Sequence, residues 1–171
     1  LLSKNHKKQQ LIGYDAWIYE GYKDHTGTIE NHIDGRKDID RKKYMEHIKN
    51  SFIASTQFFR PENLPFTCHC TSDDFFEKWY KNESFVDVFN RKISLYKPIS
   101  FCYIDGDHSF EQTKKDFENV DSKLLVDGFV LIDDSAKHMN FGSAKFIKDL
   151  LKNENYKFIA SNPNYLFQKI K

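Results

Sequence analysis

In "FCYIDGDHSF" (101–110) an apolar run ends on two carboxylates, Asp105 and Asp107, separated by Gly106 and followed by His108. A second run, "GFVLIDD" (128–134), stops on the pair Asp133 and Asp134, and a third, "LIGYD" (11–15), stops on Asp15. Isolated buried charge is costly unless paired or metal-bound. Acids closing three apolar runs therefore ask for a partner outside the chain. Their hard oxygens suit Mg²⁺, Ca²⁺ or Mn²⁺ better than zinc. A carboxylate beside a hydroxyl can take its proton, and an acid ending an early strand of a dinucleotide-binding sheet accepts from ribose hydroxyls. Any one of these acids could equally cap the following helix, but the three together favour a site.

The elements that must position these acids read as an α/β pattern. Residues 11–15, 66–70, 99–105 and 128–134 are short, continuous apolar runs, which suit strands buried on both faces of a parallel sheet. Between the last two runs, Phe110, Phe117, Val120 and Leu124 share one helical face, a length that suits a right-handed crossover. Helices are also expected over 38–59, with Tyr44, Ile48 and Phe52 inward and an Asp cap, and over 142–153. A further helix opens in "TSDDFFEKWY" with Ser72 or Asp73 as cap. "YKFIA" and "YLFQKI", separated only by "SNPN", must form an antiparallel hairpin. Ligands of open α/β sheets bind beyond the carboxyl ends of the strands, so the terminal acids should share one rim.

Composition narrows the class. The chain has 171 residues, 39% apolar and 16% aromatic, enough to bury the core of one domain. The 26 basic and 25 acidic side chains leave a net charge of +1, and the Lys runs come with no nucleic-acid reader motif. Three cysteines suit a reducing, cytoplasmic setting better than a disulfide framework. No apolar stretch approaches the roughly 20 residues of a membrane helix. Of the seven glycines, no two form GxG, so neither a Walker loop nor a dinucleotide fingerprint is present. "CHC" (68–70) lacks a second Cys/His pair at finger spacing, which favours core packing over zinc.

The segment "YIDGDHSFEQTKKDFENVDSKLLVDGFVLIDD" resembles the fourth-to-fifth-strand region of class I S-adenosylmethionine-dependent methyltransferases. It is most similar to the group that O-methylates sugars and glycosylated natural products. "LIGYDAW" resembles that group's second strand, "CTSDDFF" the turn after its third, and "SNPNYLFQK" its closing reversed hairpin. The resemblance implies a Rossmann-like, mostly parallel sheet with a C-terminal antiparallel hairpin. It implies one domain over 1–171, with an insertion or lid over 18–60. The family's first strand and glycine loop are not found in these residues, so the chain is expected to be the remainder of a longer one.

Residue by residue, the resemblance implies S-adenosylmethionine as cofactor, with Asp15 on its ribose, Ser72 and Asp73 near its adenine, and Asp105 also at the cofactor. It implies a divalent metal, Mg²⁺, on Asp105, Asp133 and Asp134. Asp107 would be the general base, with His108 beside it as an auxiliary group or as a partner of a neighbouring carboxylate. The reaction would be methyl transfer to a hydroxyl of a small-molecule or glycan acceptor, with no nucleic acid or membrane partner and with homo-oligomers expected. Two rival readings stay open. Asp-x-Asp after a strand also resembles the metal motif of nucleotide-sugar glycosyltransferases, and a degenerate, non-catalytic binding domain would retain the fold alone. Trp17 would either flank the cofactor or belong to the core.

Overall fold

In a computed structural model, which describes residues 10–18 and 41–171, the first apolar run forms strand β1 (Ile12–Asp15). It pairs in parallel with β2 (Phe66–His69), from Ile12 opposite Phe66 to Asp15 opposite His69. The described residues divide into two compact units, residues 10–18 with 41–96 and residues 97–171. The Asp cap and loop expected between 19 and 40, and much of the expected 18–60 insertion, lie outside the described residues. Among the described residues no helix is long and apolar enough to cross a membrane.

In the first unit, helix α1 (Arg41–Phe59) precedes β2, and helix α2 (Ser72–Tyr80) follows it. α2 buries Phe75, Phe76 and Trp79, with the Phe75 ring stacked 4.5 Å from Tyr14 and tilted against Phe85 at 5.1 Å. Its cap is Thr71, not Ser72 or Asp73. The Thr71 hydroxyl accepts from the Asp74 N–H (3.1 Å) and donates to the Asp74 carboxylate (2.9 Å), a reciprocal closure of the first turn. Ile48 of α1 is 38% exposed, so the expected apolar stripe is only partly covered. Trp17 is buried against Phe52 and His69, which places it in the core.

An antiparallel pair, β3 (Ser84–Val86) and β4 (Lys92–Ser94), completes this unit. The buried carboxylate of Asp87 holds it closed. It accepts from Arg91 Nε (2.9 Å) and Nη2 (2.6 Å), while the same guanidinium donates to the Leu64 and Pro65 carbonyls (3.1 and 2.5 Å). The guanidinium also lies 4.3 Å from the Phe66 ring centre. One Arg thus ties the loop entering β2 to the hairpin.

In the second unit β5 (Ile99–Ile104) runs parallel to β6 (Leu124–Ile132), and helix α3 (Phe110–Asp121) makes the crossover. The Ser109 hydroxyl caps α3 by accepting from the Gln112 N–H (3.2 Å). Helix α4 (Gly142–Leu150) follows, then the hairpin of β7 (Tyr156–Ser161) and β8 (Tyr165–Lys169), as expected. β8 inserts between β6 and β7, antiparallel to both, giving the order β5-β6-β8-β7. Val120, Val130, Ile132 and Phe167 form the fully buried centre.

Two expectations change here. Among the described residues β5 ends its sheet, and its Phe101 and Tyr103 are about half exposed (50% and 47%) rather than buried on both faces. β6 begins at Leu124, not 128, because its residues 125–128 run opposite the single β5 residue between Ile99 and Phe101. Asp127 takes the extra length at φ 68°, and a Cβ on Gly128 would meet the Leu125 carbonyl at 2.8 Å.

Candidate active site

The carboxyl ends of β5 and β6 are adjacent because the strands are parallel and Ile104 lies opposite Ile132. The first residues past both ends are acids, and the Asp133 N–H donates to the Ile104 carbonyl (2.9 Å). Asp105 and Asp133 are hydrogen-bonded through their carboxyl groups. Partial burial, then the Asp133 charge and the shared hydrogen bond, push Asp105 up to about 6. Burial alone would raise Asp133 as well. Hydrogen bonds from Tyr103, Asp105, Asn164 and the Asp134 N–H outweigh it and hold Asp133 below the usual carboxylate value. Of the two, Asp105 is therefore the more readily protonated and Asp133 the more firmly anionic.

Tyr103 and Asn164 were not anticipated. Tyr103 stands two residues before Asp105 and so shares its strand face. Its ring is half exposed, but its hydroxyl end lies against the acids, where burial and the bond to Asp133 raise its pKa. Asn164 donates from Nδ2 to Asp133 Oδ1. It comes from the β7–β8 turn, which β8's position beside β6 brings to this rim. The "YID" spacing was a usable signal for Tyr103. Nothing local to "SNPN" marks Asn164 as a partner of Asp133.

Asp134 turns with φ 45° and faces His108 instead, with Oδ2 3.7 Å from Nε2. Two serines brace this turn. Ser135, buried, donates to the Ile132 carbonyl (2.6 Å) and accepts from the Tyr165 N–H (2.8 Å). The Ser143 hydroxyl donates to the Asp134 carbonyl (2.8 Å), and its N–H donates to the His108 carbonyl (3.1 Å). The start of α4 therefore holds both the Asp134 turn and the His108 segment. Gly142 permits the approach, since a Cβ there would lie 2.0 Å from the Phe110 nitrogen. Asp107 is exposed, and its Oδ1 accepts from the Ser109 N–H (2.7 Å), which fixes its carboxylate at the entry to α3.

The metal expectation meets a different arrangement. Asp133 is already engaged by Tyr103, Asn164 and the Asp134 N–H and shares a hydrogen bond with Asp105, while Asp134 faces His108. Among the described residues no three His, Cys, Asp or Glu side chains are gathered to hold an ion. As placed, Asp105, Asp133 and Asp134 are not gathered around one point that a divalent cation could occupy, and no step is routed through one.

In the first unit Asp15 is exposed at the carboxyl end of β1, its Oδ1 accepting from the Trp17 N–H (2.6 Å). The Asp15 carbonyl accepts from the Cys70 N–H (3.1 Å). The loop carrying Thr71, Ser72 and Asp73 into α2 therefore leaves from the same strand end. An exposed acid beside a helix start fits the ribose and adenine of the implied cofactor: the carboxylate accepts from a diol, and the turn offers a flank for the ring.

A family model described as a methyltransferase domain matches residues 2–135. No curated protein sequence matches the chain. Among solved structures, the O-methyltransferase NovP aligns with a TM-score of 0.51 at 16% identity, over 99% of this chain and 63% of that one. CalS11, a calicheamicin methyltransferase, aligns with a TM-score of 0.49 at 13% identity, over 94% and 60%. The chain thus spans less than two thirds of the length of either structure, and the NovP alignment bears on the fold.

Proposed function

Because the chain belongs to the methyltransferase-domain family, we propose that it takes part in S-adenosylmethionine-dependent O-methylation of a sugar or glycosylated small molecule. The observation that carries this reading is the pair of parallel strand ends closed by hydrogen-bonded acids, Asp105 and Asp133, with Asp107 and His108 on the turn beside them. S-adenosylmethionine, when bound, supplies a methyl group on a sulfonium. Asp15 accepts from its ribose hydroxyls, and Ser72 and Asp73 flank its adenine.

Asp107, oriented by the Ser109 N–H, takes the proton of the acceptor hydroxyl. The oxygen then bonds to the methyl carbon as the carbon–sulfur bond breaks. His108 stands between this base and Asp134 as the auxiliary group. Asp133 presents a fixed negative charge to the rim and orients Asp105 and Tyr103. Mg²⁺ dependence, implied by the resemblance, is tested separately, because the acids as they stand are committed to one another.

Calorimetric titration of S-adenosylmethionine into the full-length native chain, after chelator treatment and again with added Mg²⁺, tests the reading. Micromolar binding is expected, weakened at least about tenfold in Asp15→Asn through loss of a charged hydrogen bond. Absence of binding in both conditions refutes it. Binding that needs Mg²⁺ restores the metal and refutes the arrangement of acids described above.

A further inference from the structure

Cys68 and Cys70 form a side-chain cluster that methyl transfer does not use. They stand two residues apart at the end of β2, so their side chains leave the strand on one side. Their sulfurs are hydrogen-bonded to each other. Cys68 is buried, at 2% exposure, while Cys70 lies one residue beyond the strand and is half-buried. Its N–H is held by the Asp15 carbonyl (3.1 Å), and the next residue, Thr71, caps α2. Cys70 therefore sits directly before a helix N-terminus, whose dipole favours an anion. His69 does not intervene, since its Nε2 lies 3.0 Å from the Ala16 carbonyl and its ring packs edge-on to Trp17.

We propose that Cys70 and Cys68 are a thiol-redox pair, in which Cys70 reacts with hydrogen peroxide and Cys68 resolves the product to an intramolecular disulfide. The Cys70 thiolate attacks one peroxide oxygen, the O–O bond breaks and hydroxide leaves, so Cys70 becomes a sulfenic acid. The Cys68 sulfur then attacks the Cys70 sulfur, the S–O bond breaks, and the Cys68 proton leaves with the hydroxide as water. Two thiols and one peroxide give one disulfide and two waters.

The division of roles follows from the environments. The hydrogen bond from Cys68 draws the Cys70 pKa down, and the same bond together with burial pushes Cys68 up. The accessible sulfur is the one that ionises. Two residues of extended chain separate the Cα atoms by about 6.6 Å, near the upper end of what a disulfide spans. Such a bridge is readily reduced, which makes the modification reversible. Cys102 is an internal control, since burial and then the Asp116 charge push it up to about 12.

The test does not depend on the methyltransferase reading. The reduced chain is treated with equimolar hydrogen peroxide, its remaining thiols are blocked with N-ethylmaleimide, and its peptides are mapped by mass spectrometry. The peptide holding both cysteines should lose two hydrogens and take no maleimide until dithiothreitol is added. In Cys68→Ala, dimedone should trap a sulfenic acid at Cys70. Cys70→Ser, which replaces a half-buried residue and leaves the core closed, should lower oxidation of Cys68 at least about tenfold. The proposal is overturned if both cysteines stay alkylatable after peroxide, if Cys102 or Cys68 oxidises before Cys70, or if the bridge joins two chains.

Discussion

Replacing Gly142 by Ala isolates how the start of α4 supports the acid rim. A Cβ at this position would lie 2.0 Å from the Phe110 nitrogen, 2.4 Å from the Ser109 carbonyl carbon and 2.8 Å from the His108 oxygen. All three are backbone atoms, so no side-chain rotation relieves the clash. Ordinary contact begins at 3.4 Å, so the two segments must part by about 1.4 Å, the difference from 2.0 Å. That separation breaks the Ser143 N–H bond to His108 (3.1 Å) and strains the Ser143 hydroxyl bond to Asp134 (2.8 Å). Two such bonds are worth about 1–3 kcal/mol, and overpacking adds about 1–3 kcal/mol. The expected loss is therefore about 2–6 kcal/mol. At a slope of about 2 kcal/mol/M, the urea midpoint falls by roughly 1–3 M. Far-UV circular dichroism follows the transition, and hydrogen exchange should localise the loss to α3, α4 and the 133–135 turn. Helix propensity alone predicts the opposite sign, because Ala is favoured over Gly by up to about 1 kcal/mol. An unchanged or raised midpoint would refute the close approach.

Arg91→Ala strands the buried Asp87 carboxylate and should cost about 3–5 kcal/mol, read from Trp17 and Trp79 fluorescence in urea. Arg91→Lys should recover only part, since it cannot reproduce the forked contacts. Asn164→Ala removes one donor from Asp133 and should cost about 1–2 kcal/mol while slowing methyl transfer; full activity would remove Asn164 from the rim's support. Stability should fall as pH rises above 9, because the Cys102 thiol is lifted from 9.0 to about 12 in the folded chain. The unfolded chain then loses its proton first. Tyr156, raised by burial and its bond to Asp121, acts in the same direction. Urea midpoints at pH 8 and pH 10.5 test this, and Cys102→Ala should flatten the loss.

What the sequence disclosed divides along physical lines. β1, β2, α3, α4 and the closing hairpin announced themselves through period and turn chemistry, which are local properties. The adjacency of Asp105 and Asp133 followed from two apolar runs joined by a helical crossover, because such strands pair in parallel. Thr71, Ser72 and Asp73 are all good capping residues, and only the extended backbone at 71 singles out Thr71. The β3–β4 pair was invisible, since three-residue strands carry no readable period and their closure rests on Asp87 with Arg91. Asn164 could not be foreseen, because its place beside Asp133 depends on β8 entering between β6 and β7. The engagement of Asp133 by Tyr103, Asp105 and Asn164 is likewise a tertiary fact, and with the turn of Asp134 toward His108 it separates this rim from an ion cage.

The position of β8 also orders the events of synthesis. β5, α3 and β6 need nothing beyond residue 132 to pair, yet the second edge of β6 has no partner until Tyr165–Lys169 arrives. Through that interval the backbone groups of Phe129–Ile132 remain open to wrong pairing with any passing strand. Once β8 is in place, the clasp of Tyr156 and Lys169 on Asp121 (2.5 and 2.8 Å) fastens the late hairpin to the end of the early helix. The 97–171 unit therefore passes in one late step from a sticky intermediate to a sheet whose β6 is paired on both edges, and a chain cut short before Tyr165 would keep the sticky form.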